Sequence, residues 1–535
     1  MADTLTRTEL NLELDGRSLA IEDVVELARH GGRARIAAHA RGRIEDTLHL
    51  KQDLIAREIP IYGVTTGFGD SAHRQIAPGK AARLQENMTR FLGCGTGPIA
   101  APEVVRATML LRANCLAKGN SGVRPELIER LLLFLNEDVL PLIPERGSCG
   151  ASGDLIPLSY VASALVGEAD VLHRGTPTSA RAVLDEMGAE QLVLEAKEGL
   201  ALTNGTSFMS AFAALAVHDA EELAFVGDLC TAMASEALLG NRGHFNAFLF
   251  EAKPHPGQME SARVLRELLA GSELSVDSEQ VLAAGGLEGR EFVQLERQVQ
   301  DKYSVRCAPH VIGMLRDTLE WVTRWVGVEI NSSDDNPLFD PDARRVQSGG
   351  NFYGSHMAQG MDSLKIALAN LCDLLDRQLE LVVDEKFNAG LTPNLIPYFS
   401  PTDPEAGVHH GFKGMQLCCS AMTAEALKQS NPASIHSRST EAHNQDKVSM
   451  GAIAARDART IVELAQDITA IHLIALCQAL DLRGLDRASP KTRAAQELVR
   501  THVSFLEGDR RMHADIRAVS DLIRSGSLSR TVRAA

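Results

Sequence analysis

The sequence predicts an all-α protein, mainly a bundle of long helices, with a smaller, mixed and loop-rich N-terminal domain. Three observations carry this. Apolar stripes at helical spacing recur along the chain, an Ala-rich stretch runs without proline, and glycine-rich loops gather in the first 200 residues. Ile128, Leu131, Leu132, Leu135 and Val139 step by three and four, the mark of one apolar helix face. Leu364, Leu368, Leu371, Leu375, Leu379 and Val382 repeat the pattern over a longer span. Ile461, Leu464, Ile468, Ile471 and Ala475 alternate three and four strictly, a seam for packing on other helices. Thr206 to Leu239 favours a long helix with close neighbours. Together these predict a bundle over 201–535. Over 1–200 the helices read shorter, and glycine-rich loops fall at 63–69, 93–97 and 147–153, the kind of loop on which a scaffold places chemistry.

Composition narrows the classes. The 535 residues carry 54 basic and 70 acidic side chains, a formal net charge of −16. Hydrophobic residues make up 44%, enough for a large core, which excludes a mostly disordered chain. The acidic balance and the scarcity of aromatics, 16 Phe, 5 Tyr and 2 Trp, argue against a nucleic-acid partner. Nine cysteines without C-x-x-C spacing fit neither a disulfide framework nor a zinc ribbon. Met1 to Leu14 lacks an apolar core, so no signal peptide is expected, and no run approaches the ~18 consecutive apolar residues of a membrane span. The expectation is a cytoplasmic protein with no membrane partner.

The most informative stretch is Gly147-Ser148-Cys149-Gly150-Ala151-Ser152-Gly153-Asp154-Leu155. In Ala151-Ser152-Gly153 the Gly153 nitrogen can attack the Ala151 carbonyl carbon if the backbone bends tightly, and glycine permits that approach. Loss of one water from the ring and one from the Ser152 hydroxyl would leave an exocyclic methylidene, an electrophile made from the chain itself. Taken alone, the tripeptide is more simply a turn of small residues.

The stretch GSCGASGDLIPLSY, Gly147 to Tyr160, resembles the signature of the aromatic amino acid ammonia-lyases and aminomutases, the histidine, tyrosine and phenylalanine ammonia-lyase family. Further similar motifs follow in the family's order: Tyr62-Gly63-Val64-Thr65-Thr66-Gly67-Phe68-Gly69, Asn204-Gly205-Thr206-Ser207 and Lys253-Pro254-His255-Pro256-Gly257-Gln258. Then come Gln300 to Cys307, Asp335-Asn336-Pro337, Gly349-Gly350-Asn351-Phe352 and Asn444-Gln445-Asp446. The resemblance implies an ammonia-lyase/fumarase-like fold whose N-terminal domain carries 4-methylideneimidazol-5-one (MIO), formed from Ala151, Ser152 and Gly153, without metal or pyridoxal phosphate. It assigns Tyr62 as the base that removes the β-proton. Such a tyrosine must be substantially deprotonated, so its pKa is expected well below ~10, on a mobile loop that closes over substrate. Tyr303 joins the catalytic set by resemblance. Arg306 is the expected clamp for the substrate carboxylate, since a guanidinium offers two parallel donors. Asn204, Gln300, Asn336 and Gln445 are expected to orient substrate and prosthetic group, Gly69 to line the site, and Lys413 and Glu441 to match positions of phenylalanine-type members, with Glu441 near the amine. Asp-Asn-Pro is also an ordinary turn sequence.

Selectivity in this family resides largely in a residue pair that here is Phe91-Leu92. Phenylalanine enzymes resemble this pair, tyrosine enzymes usually carry His-Leu and histidine enzymes Ser-His. Phe91 would leave a phenol hydroxyl unpaired at a cost of roughly 1–3 kcal/mol, whereas an unsubstituted ring loses nothing. The expected activity is therefore carbon–nitrogen lysis of L-phenylalanine to trans-cinnamate and ammonia, nearest in motif to the bacterial-type phenylalanine ammonia-lyases. Tyrosine ammonia-lyase and an aromatic 2,3-aminomutase are the alternatives inside the family, an inactive helical scaffold the alternative outside it. A fumarase/aspartase-like lyase is set aside because its G-S-S-x-M-P-x-K-x-N loop is absent. Cys149, Cys94, Ser355 and His310 depart from common family residues. The resemblance further implies a homotetramer with active sites shared between subunits.

Overall fold

Residues 10–283, 285–295 and 297–535 are described by a computed structural model, so most of Met1–Leu14 lies outside the described residues. Helices dominate; Ser207–Ala237 falls on the Ala-rich run, Ser355–Val383 and Gly451–Arg483 fall on the later apolar stripes, and Ala308–Glu329 is a further long helix that no stripe marked. In Ser207–Ala237 the alanines at 211, 213, 214, 216, 220 and 224 are buried. Their small side chains let neighbouring backbones approach closely, and their high helix propensity costs nothing in return. The stripe that starts at Ile128 is cut short. Its helix is Pro125–Asn136, and Asp138 has a φ of 54°, so Val139 is buried from the following loop rather than from the helix. Among the described residues one helix, Gly451–Arg483, is long and apolar enough to cross a membrane by length and composition, and 78% of its most apolar window is buried inside the protein. All nine cysteines are free thiols.

The chain divides into two compact units that are not sequential segments. The first comprises 1–218, 322–362 and 432–459, and so contains the whole of 1–200; the second comprises 219–321, 363–431 and 460–535. Short sheets belong to the first unit. Asn11–Leu14 pairs in parallel with Arg33–Ile36, and Leu140–Pro141, Asp170–His173 and Thr176–Ser179 form a three-stranded antiparallel sheet. Thr96–Ile99 pairs with Pro144–Arg146, a ladder that feeds directly into the Gly147–Gly153 loop. Helix Leu155–Leu165 leaves that loop at once, with Asp154 as its cap residue. The loop is thus pinned at both ends by regular structure.

The second unit is stabilised by buried polar contacts between helices. Asp228 accepts from Arg316 at 2.6 Å, and the Gln378 amide donates to Thr231 and to the Ser304 carbonyl, each at 2.9 Å. Buried polar groups need such partners, since an orphaned one costs about 1–3 kcal/mol.

Candidate active site

In the first unit a cavity of about 270 Å3 opens beside the Gly147–Gly153 loop. Its apolar wall is a cluster of Met88, Leu92 and Leu200, with Tyr62, Phe68, Leu155 and Ile156 packed against it. Ala151, Ser152, Gly153, Asn204, Glu441 and Gln445 also line it, and Phe91 stands at its edge, 61% exposed.

The tripeptide sits in a bend that few sequences could adopt. Gly150, Ser152 and Gly153 have φ of 77°, 53° and 74°. Ser152 is a strained conformer for a residue with a Cβ, and the surroundings over-determine it. Gly205 N–H donates to the Ser152 carbonyl at 3.2 Å, and Asp154 N–H donates to the Gly205 carbonyl at 2.7 Å. A Cβ on Gly153 would lie 2.1 Å from the Gly205 oxygen, so only glycine fits. Met450 N–H donates to the Cys149 carbonyl at 3.0 Å, and Ser148 Oγ donates to Asp154 at 3.0 Å. Asp154 also accepts from Met209 N–H at 2.8 Å. Burial pushes its carboxyl up to about 7 despite these bonds. A bent, glycine-permitted and rigidly clamped Ala-Ser-Gly is what cyclisation to an imidazolone requires; the residues present fit that group.

Tyr62 is held rather than loose. Gly69 N–H donates to its hydroxyl oxygen at 3.0 Å, and Thr65 and Thr66 bond back to the loop through Ile61 N–H and Gly63 N–H at 2.9 and 3.1 Å. Gln85, buried, donates to the Gly63 carbonyl and accepts from Leu200 N–H, each at 2.9 Å, tying the loop to the cavity wall. The expectation of a depressed phenol pKa is corrected in this chain. Burial pushes Tyr62 above its ordinary value and the nearby Glu441 charge adds to that, while only the Gly69 N–H works the other way.

Opposite Tyr62, Thr440 to Gln445 forms a tight turn in which Glu441, Ala442 and His443 all have positive φ, of 51°, 51° and 67°. The turn delivers Gln445 Nε2 to Ser152 Oγ at 3.2 Å and sets the Glu441 carboxyl over Gly69, where a Cβ would meet Oε1 at 1.7 Å. Burial raises the Glu441 pKa, and the Asp70 charge adds to the shift.

Behind the cavity wall lies a largely buried charge network. Lys197 donates to both oxygens of Asp335 at 2.7 Å, and Asn204 donates its amide to Asp335 at 3.0 Å and to the Asn336 carbonyl at 3.1 Å. Arg112 donates to the Asn204 carbonyl at 2.9 Å and to Asp334 at 2.7 Å. Thr206 Oγ1 lies 2.6 Å from Glu329 and 2.8 Å from Asp334. The hydroxyl is thus shared between two carboxylates, and burial pushes the Glu329 carboxyl up to about 7. Sequence reasoning missed Arg112, Lys197, Gln85 and Glu329. The available signal was charged residues inside apolar runs, as in Leu110-Leu111-Arg112-Ala113, because a charge in such a run must find a partner.

The remaining candidates lie elsewhere. Asn336 does not line the cavity; its side-chain oxygen accepts from Gly349 N–H at 2.8 Å while its carbonyl supports Asn204. Gly69 stands behind Tyr62. Gln300, Tyr303, Arg306 and Lys413 belong to the second unit. There the Arg306 guanidinium lies over the Tyr303 ring, 4.5 Å from its centroid, Tyr303 is 73% exposed, and Gln300 and Arg306 share a separate cavity. Lys413 is exposed at the start of helix Lys413–Gln429. Among the described residues no group of three or more His, Cys, Asp or Glu could hold a metal ion.

With this geometry in place, comparison with known proteins identifies the class: the chain belongs to the aromatic amino acid lyase family, whose model matches residues 19–501. It is 39% identical to the MIO-dependent tyrosine 2,3-aminomutase of Streptomyces globisporus, covering 99% of this chain and 98% of that enzyme. A crystal structure of that aminomutase superposes with a TM-score of 0.92 over 98% of each chain. A histidine ammonia-lyase of Stigmatella aurantiaca is 39% identical over 99% of both chains. The phenylalanine aminomutase of Pantoea agglomerans is 31% identical, with a TM-score of 0.91 over 96% of this chain and 99% of that one. The family's prosthetic group is MIO, formed here from Ala151, Ser152 and Gly153 without metal or pyridoxal phosphate.

Proposed function

We propose that the protein deaminates L-phenylalanine to trans-cinnamate and ammonia. The observation that carries this reading is the apolar wall of Met88, Leu92 and Leu200 continued by Phe91, which suits an unsubstituted ring and leaves a phenol hydroxyl or an imidazole unpaired. MIO supplies an electrophilic methylidene carbon that captures the substrate amine. The chain's own residues do the rest. Tyr62 as phenolate takes the β-proton, with the Gly69 N–H stabilising its charge. Glu441 lies near enough to Tyr62 and Gly69 to handle the amine's protons, Gln445 and Asn204 hold the prosthetic group's surroundings, and Gly205 N–H holds the Ser152 oxygen.

In the same reading Arg306 clamps the carboxylate, with Tyr303, Gln300, Asn336 and Lys413 as further positioning groups, and a homotetramer brings residues of neighbouring subunits to each cavity. The exposure of Phe91 and Tyr303, two aromatic side chains a working site would cover, supports that assembly. A cytoplasmic location belongs to the same proposal. A second reading, an aromatic amino acid 2,3-aminomutase, is favoured by the likeness to two aminomutases. Incubating the purified protein with phenylalanine, tyrosine and histidine, then separating acrylates from β-amino acids, tests both. Cinnamate from phenylalanine is expected; β-amino acid as the main product supports the second reading, and faster turnover of tyrosine or histidine overturns the Phe91 argument.

A further inference from the structure

The Asn204–Gly205 peptide is gripped from both sides. Its N–H, on Gly205, donates to the Ser152 carbonyl at 3.2 Å, and its C=O, on Asn204, accepts from Arg112 Nη1 at 2.9 Å. Arg112 is fully buried, and no side chain stands between it and this peptide: a Cβ on Gly205 would lie 2.1 Å from Nη1. Its Nη2 donates to Asp334 at 2.7 Å and also meets Cys115 Sγ, and the second Asp334 oxygen accepts from Thr206 N–H at 2.7 Å. A cation hydrogen-bonded to a carbonyl draws electron density through the peptide and makes the N–H at its far end a stronger donor, most of all in a low-dielectric interior.

The Ser152 oxygen is the one that survives cyclisation. The Gly153 nitrogen bonds to the Ala151 carbon; the Ala151 oxygen departs as water with the amide hydrogens of Ser152 and Gly153. The Ser152 hydroxyl leaves as a second water with the Ser152 α-hydrogen, and no oxidant or reductant is consumed. The Ser152 carbonyl becomes the ring carbonyl, conjugated to the methylidene, and it takes up negative charge when an amine adds.

We propose that Arg112 is a positioning residue that acts through the Asn204–Gly205 peptide, polarising its N–H toward the Ser152 oxygen so that the methylidene is more electrophilic, with Asp334 setting how strongly. The inference rests on the ring forming from Ala151-Ser152-Gly153. It predicts opposite effects from two changes. Asp334→Asn keeps the cation and removes its counter-charge, which deepens the polarisation. Adding Arg112→Met to that variant removes the cation without leaving a buried unpaired charge.

The test uses full-length protein with a carbon-13 label in the serine carbonyl and isotope-edited infrared spectroscopy, with intact mass measured alongside. The ring carbonyl stretch is expected at lower frequency than wild type in Asp334→Asn and at higher frequency in the double variant. In the double variant kcat per dehydrated chain should fall about tenfold or more with KM nearly unchanged. Unchanged or same-direction shifts in chains that have lost two waters overturn the inference. A wild-type chain at its full translated mass overturns instead the reading on which it rests. Should the double variant not fold, the sign of the shift in Asp334→Asn decides alone.

Discussion

The Glu441 carboxyl occupies the space where any side chain on Gly69 would begin: an added Cβ would lie 1.7 Å from Oε1. Gly69 also has a φ of 56° and gives its N–H to Tyr62. Three demands, space, left-handed backbone and a donor, meet at one residue. Gly69→Ala is therefore expected to lower kcat on the order of 10²-fold while the chain stays folded. Shortening the opposing carboxylate in Gly69→Ala/Glu441→Asp should recover part of the loss. Steady-state kinetics with circular dichroism as a folding control checks both.

Tyr62 governs the pH dependence. Its pKa is raised first by burial and then by the Glu441 charge, so the phenolate is the minor form at neutral pH. A base whose pKa is raised becomes active only as pH climbs, and kcat/KM should rise about tenfold per pH unit along an alkaline limb. Glu441→Gln removes the like charge, so the limb should move to lower pH even though the rate falls. Tyr62→Phe should abolish that limb, with a loss of about 10²–10⁴-fold at its upper end.

Glu329 links stability to pH. Its carboxyl is neutral in the folded chain up to about 7 but ionises near its ordinary value of 4.5 when unfolded. Below 4.5 the group is protonated in both states and contributes nothing to the difference; as pH rises from there to about 7 the unfolded state is increasingly favoured. Glu329→Gln keeps an acceptor for the Thr206 hydroxyl and removes the titration. Urea unfolding should find it more stable than wild type at pH ~8, by up to about 3 kcal/mol, with the gain fading toward pH ~5.

Intact mass reports on the tripeptide directly. Wild type should weigh two waters less than its translated sequence, and Ser152→Ala should weigh what translation dictates and have no lyase activity. Gly153→Ala should also stay unmodified, because its methyl would meet the Gly205 oxygen at 2.1 Å.

Phe91→His tests ring recognition. A histidine at the cavity edge can bond a phenol hydroxyl, so the ratio of kcat/KM for tyrosine over phenylalanine should rise about 5- to 150-fold. An unchanged ratio would place selectivity elsewhere on the wall.

Much of this is legible in the amino-acid sequence. Helical stripes announced the long helices because burial of one face repeats at the helical period. The tripeptide, Tyr62, Glu441 and Gln445 were found through motifs, and the cavity unites them. Val139 broke from its stripe because Asp138 turns the chain with a positive φ, a tertiary decision that periodicity does not encode. The raised pKa of Tyr62 follows from burial among Met88, Leu92 and Leu200, side chains more than 20 positions away in sequence. Arg112 and Lys197 stayed unread because their partners, Asp334 and Asp335, lie far downstream. Ion pairs over such separations leave no local pattern.

Because Met450 clamps Cys149 and Gln445 reaches Ser152 from 293 positions downstream, the loop acquires its final shape only once that much later part of the chain has folded against it. A nascent chain that ends before those contacts lacks both clamps on its Ala151-Ser152-Gly153 bend.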